Sequence, residues 1–84
     1  MVKLTYYVAL PFVRSADGEL VPGEPKEAPT AERAKIVAFE MAMGSAEGAV
    51  AFSRTGDPST GEFEPAIILA QYGQTLTGEI DSAP

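Results

Sequence analysis

Several stretches of the sequence carry side chains whose type and spacing suit chemistry. Gly56-Asp57-Pro58-Ser59-Thr60-Gly61 has the glycine spacing of a phosphate-binding loop. Such a loop continues with Lys and then Ser or Thr, because an ammonium and a hydroxyl must meet the phosphate oxygens and their cation. Here Glu62 and Phe63 follow, so the added charge has the wrong sign, and no helical pattern comes next. The same stretch offers oxygens to a cation through Asp57, Ser59, Glu62 and Glu64. A calcium loop places Gly at its sixth position and a bidentate Glu at its twelfth. Counted from Asp57, Gly61 is fifth and no Glu occupies the twelfth place. A solvated acidic hairpin turn is the simpler reading of both patterns.

Glu62 and Glu64 are two apart, so on a strand they share a face, and paired carboxylates can do acid–base work without histidine. That chemistry needs one carboxyl desolvated, and nothing in the sequence removes water from either. Arg54 ends an apolar run just before the turn at Asp57. It is either half of a local ion pair or an anion site. Arg54, Glu62 and Glu64 together define the alternative reading of the chain, a small-ligand-binding or catalytic protein. Tyr6 and Tyr7 lie on opposite faces of one strand and could stack bases, but base-stacking sheets are basic, and only Lys3 and Arg14 are near.

Composition narrows the field further. The chain has no His and no Cys, which excludes a Ser-His-Asp triad, a thiol nucleophile, a disulfide and the usual zinc ligands. Six basic residues against twelve acidic ones give a net charge of −6, which repels a nucleic-acid backbone. Neither a cofactor nor enzymatic activity is expected. The early apolar residues alternate with polar ones and stop at Pro11, unlike a secretory signal. The longest unbroken apolar run, Ala66 to Ala70, is too short to span a bilayer. The expectation is a cytoplasmic protein that binds neither membrane nor nucleic acid.

The elements that would position these residues follow from periodicity. In the first dozen residues Leu4, Tyr6, Val8, Leu10 and Phe12 alternate with Lys3, Thr5, Tyr7, Ala9 and Pro11, the pattern of a strand with one face on a core. Tyr6 then belongs to the core and Tyr7 to a partly exposed surface. Asp17-Gly18 suits a tight turn. Glu19 to Val21 is a short second strand, and the prolines at 22, 25 and 29 make Pro22 to Pro29 an extended edge or connection. Thr30 caps a helix that runs to Met43, with Glu32 in its first turn and Gly44 as a left-handed C-cap. Arg33 stands where a capping box would have Glu. Gly48 to Thr55 and Glu62 to Tyr72 complete the sheet. Ile67, Ile68 and Leu69 are consecutive, which predicts burial on both faces and a central place for the last strand. The order β-β-α-β-β predicts an α+β fold of two layers, one helix on a three- or four-stranded, mostly antiparallel sheet. At 84 residues the chain is a single small domain over 1–73, with 74–84 as a flexible acidic tail. Beyond Arg54 that half carries Asp57, Glu62, Glu64, Glu79 and Asp81 and no base.

The helix has more apolar circumference than one sheet needs. At about 100° per residue, Ala34, Val37, Ala38, Met41 and Ala42 gather on a wide arc of mostly small residues. Ile36, Phe39 and Met43 gather on a second, narrow and bulky arc, which Glu32 shares. One arc faces the sheet and the other needs a cover. Leu76 and Ile80 of the tail, or the Pro22–Pro29 segment, could supply it from within the chain. Otherwise the arc marks an interface. A symmetric homodimer is the commonest such assembly, and an unidentified protein partner is the alternative occupant. The sequence therefore reads as a small acidic protein–protein interaction module of unknown pathway, self-associating through Ile36, Phe39 and Met43 or, failing that, through the Val37/Met41 arc.

Overall fold

The alternating N-terminal residues form the longest strand, β1 (Leu4–Arg14), in a computed structural model that describes residues 3–76. It is followed by β2 (Leu20–Pro22), β3 (Lys26–Ala28), α1 (Ala31–Met43), β4 (Gly48–Asp57), β5 (Glu62–Phe63) and β6 (Ile67–Gly73). The fold is α+β, with one helix and an antiparallel sheet. It has six strands rather than three or four, in the order β-β-β-α-β-β-β rather than β-β-α-β-β. The extra strands arise where Pro breaks a ladder. Gly23-Glu24-Pro25 divides the segment on one side of β1 into β2 and β3, and Glu64-Pro65-Ala66 divides the segment beside β4 into β5 and β6.

β1 and β4 form the centre and pair along nearly their whole length, from Leu4↔Gly56 to Phe12↔Gly48. β2 and β3 line the outer side of β1, through Val13↔Val21 and Val8↔Glu27. β5 and β6 line the outer side of β4, through Gly56↔Phe63 and Val50↔Gln71. β6 is thus an edge strand, not the central one that Ile67-Ile68-Leu69 predicted. The register shift between Ala51 and Phe52 explains the consecutive apolar residues. Ala70 pairs with Ala51 and Ile68 with Phe52, so Leu69 is the extra residue of a bulge. Ile68 and Leu69 consequently pack into different clusters.

Local signals formed where the sequence placed them. The Thr30 hydroxyl accepts the Arg33 amide at 3.1 Å, and a Glu32–Lys35 pair spans the first turn. The turn after β1 closes on Ser15 with Gly18 at φ +82°. Gly44 is a correction. It lies at φ −92°, ψ −130°, outside the left-handed region, and its amide still reaches the Glu40 and Met41 carbonyls.

The sheet has apolar residues on both faces, and the helix lies on the face with the smaller ones. Ala34 and Ala38 of α1 are fully buried against Ala9, Ala49 and Ala51, flanked by Tyr7, Val37, Met41 and Tyr72. The opposite face carries the bulk. Phe12 and Val50 are fully buried there beneath Leu10, Leu20, Phe52, Ile68 and Leu76. This corrects the assignment of Tyr6 to the core. Both tyrosines are half-buried, and it is Tyr7 that packs with the helix cluster. Gln74 and Leu76 pack onto this body, Gln74 through its amide to the Glu47 carbonyl. Ile80 and the rest of the expected tail lie outside the described residues.

An all-alanine contact leaves no room for growth. Ala38→Leu forces α1 off β4, at a cost of about 1–3 kcal/mol. Chemical denaturation followed by circular dichroism checks this as a lower midpoint with helical content retained in the folded state.

Candidate functional site

The residues suited to chemistry sit around the β4–β5 turn, and the structure uses them to hold that turn. Asp57 is 7% exposed, and its Oδ1 accepts both the Ser59 hydroxyl at 2.6 Å and the Ser59 amide at 2.9 Å. The Thr60 and Gly61 amides close on the Asp57 carbonyl, and Gly61 takes φ +78°, where a Cβ would be strained. The loop's donors are thereby turned inward on Asp57 instead of outward on a phosphate. Glu64 pairs with Lys3 at 3.0 Å on the surface. Glu62 is exposed, with no ion pair among the described residues. Arg54 makes no ion pair with Asp57. Its Nε donates to the Glu64 carbonyl at 3.4 Å, its guanidinium lies 5.8 Å from the Phe63 ring centre, and the Tyr6 and Phe63 ring centres are 6.1 Å apart.

Arg54, Glu62 and Glu64 are therefore neighbours, but they enclose nothing. The cleft beside them, lined by Lys3, Asp57, Thr60, Glu62, Phe63 and Glu64, holds about 190 Å³, below the range of small-molecule sites. Among the described residues no three acidic side chains gather as a metal site requires, and no buried polar side-chain atom lacks a partner.

The helix presents a different kind of site. Its small arc is inward, so its bulky arc is outward: Ile36 is 42% exposed, Phe39 49% and Met43 70%. The Phe39 ring meets Tyr72 edge-on, with centroids 5.5 Å apart, which places this arc on the β6 side of α1. The other side of the helix, at Glu40 and Met41, borders β1 and the β2–β3 connection. Among the described residues neither intramolecular cover reaches the bulky arc, and Ile80 of the tail lies outside them. Pro22–Pro29 runs along the far edge of β1, and Leu76 packs on the opposite face of the sheet. At the other end of β6 from Tyr72, Ile67 is 63% exposed. The bulky arc of the two read from the sequence is the exposed one. The sequence could not show that β6, read as central, lies at the edge beneath it. No helix among the described residues is long and apolar enough to cross a membrane.

The turn makes one titration prediction. Hydrogen bonds from the Ser59 hydroxyl and then the Ser59 amide hold the Asp57 carboxyl below its ordinary value. A lowered folded-state value means that ionised Asp57 favours the fold above the ordinary carboxylate value, and that this contribution fades as pH falls through the lowered one. Ser59→Ala removes the first donor and moves the Asp57 midpoint upward, towards the ordinary value. Carboxyl-carbon NMR titration of the two proteins measures it, and equal midpoints would contradict the assignment. In comparisons with known proteins, no family model, curated protein or solved structure matches this chain.

Proposed function

We propose that the chain is a small acidic protein–protein interaction module of the cytoplasm, not an enzyme, and that it self-associates through the outer face of α1. The observation that carries this reading is the exposure of Ile36, Phe39 and Met43 on a helix whose opposite arc is already packed to alanine tightness. Evenly spread single apolar residues are normal on a surface, but three large ones on one arc are a patch. A second copy is the favoured partner because an isologous contact needs only one self-complementary patch, and the patch of Ile36, Phe39 and Met43 has a single charged neighbour on its arc, Glu32, paired with Lys35.

Complete burial of a large apolar side chain contributes about 1.5–3 kcal/mol. These side chains retain roughly half of that, so six of them across a two-fold axis contribute on the order of 6 kcal/mol. Association costs about 4–15 kcal/mol, so the helix face alone supports a weak dimer.

Sedimentation analysis is expected to show a monomer–dimer equilibrium. Phe39→Asp should yield a folded monomer, with the dissociation constant raised at least roughly a hundredfold by the loss of two anchors and the burial of two charges. Met43→Lys, at the most exposed position, tests the same face with less risk to the fold. A wild-type chain that stays monomeric, or variants that dimerise as it does, would refute the proposal.

A further inference from the structure

From the shape and chemistry of the β6 edge we infer that two copies join their sheets, with β6 pairing antiparallel to β6 of the second copy beneath the facing helices. This inference rests on the self-association proposed above and specifies its geometry.

The two edges of the sheet are built differently. The β2–β3 edge has Pro22, Gly23 and Pro25 in it and charged Glu24, Lys26 and Glu27 along it. Prolines, charges and bulges all obstruct edge-to-edge pairing. β6 has no proline and no charge, and its one irregularity among the described residues is the bulge at Leu69. Its residues Ile67–Gly73 include no charged side chain and no proline, in a chain of net charge −6. Its outer backbone has no hydrogen-bond partner among the described residues. Along β6 itself a like-charged copy meets no charged side chain.

The edge and the helix stripe lie on the same flank, since Phe39 rests on Tyr72 of β6. One two-fold axis, normal to the sheet and passing beside Ala70, serves both. It pairs β6 with its copy, keeps both helices on one face and turns their bulky arcs towards each other. α1 lies mainly across β4, so the two helices stand three strand spacings apart, about 14 Å at 4.8 Å each. Helices in direct contact lie about 8–10 Å apart. The difference is the space that Ile, Phe and Met side chains fill and alanines would leave empty. The added ladder also supplies what the helix stripe alone lacks, since that stripe meets only the low end of the association cost.

The absence of cysteine makes the test direct. Gln71 is exposed on β6, and in a ladder centred on Ala70 the two copies of Gln71 are diagonal neighbours about 7–8 Å apart. Gln71→Cys should be linked into a covalent dimer by a short bis-maleimide, Glu24→Cys on the opposite edge should not, and adding Met43→Lys to Gln71→Cys should abolish the product. Independently of register, β6 amides that point away from β4 should exchange at least about tenfold more slowly in the wild-type dimer than in the Met43→Lys monomer. A dimer that Met43→Lys dissociates, with neither the cross-link nor the protection, would overturn edge pairing and leave the helix-face reading standing. A chain that sediments as a monomer throughout, or whose dimer survives Met43→Lys, would remove both.

Discussion

The contact between Ala34 and Ala38 of the helix and Ala9, Ala49 and Ala51 of the sheet sets the terms for the rest of the molecule. Small residues on both surfaces let backbone approach backbone, and the layer they form has no volume for anything larger. The bulky apolar residues must therefore go elsewhere. Phe12, Val50, Leu10 and Phe52 go to the far side of the sheet, where Leu20, Ile68 and Leu76 close over the deepest of them. Ile36, Phe39 and Met43 go to the outer flank of the helix, where Tyr72 meets Phe39. The exposed stripe is thus a consequence of how the interior is packed. A helix with leucines inward and alanines outward would have no such stripe.

The polar residues that first suggest chemistry are employed in closing turns. Asp57 spends one carboxylate oxygen on two donors of Ser59 and its carbonyl on the amides of Thr60 and Gly61. Arg54 lies against Phe63, and Glu64 meets Lys3 across the ends of two strands. Close approach is enforced there as well, since a Cβ on Gly56 would strike the Phe63 ring. These contacts fix how β5 leaves β4. They leave no enclosed volume in which a carboxyl could lose its water, and desolvation is what acid–base work by Glu62 or Glu64 would require.

What was legible in the sequence divides along the range of the physical cause. The Thr30 cap, the Asp17-Gly18 turn and the two arcs of the helix depend on residues within one or two turns of each other, and they are read directly. Which arc faces inward depends on the sizes of Ala49 and Ala51, residues that meet the helix only after folding. The alternation of β1 is real on both faces, and the larger residues misled because the helix selects for smallness rather than hydrophobicity. The consecutive Ile67, Ile68 and Leu69 imitate a central strand because a bulge and two-sided burial produce the same string. Proline positions were visible, but splitting each outer strand in two required knowing which strand it bordered.

The chain's acidity and the proposed self-association are compatible because charge is kept off the β6 edge. The acids at Glu24, Glu27, Glu62 and Glu64 lie along the β2–β3 side and the β5 end, while Glu32, which shares the bulky arc, is paired with Lys35. Charges separated by more than a Debye length, about 8 Å at physiological salt, interact weakly. Repulsion between two copies then depends on where charge lies relative to the contact, more than on its total. The same net charge opposes association through the other faces, where the acids would meet. The proline-bearing edge and the acidic loops therefore act together to leave β6 and the outer arc of α1 as the flank open to a second copy, and they favour a closed pair over continued end-to-end growth of the sheet.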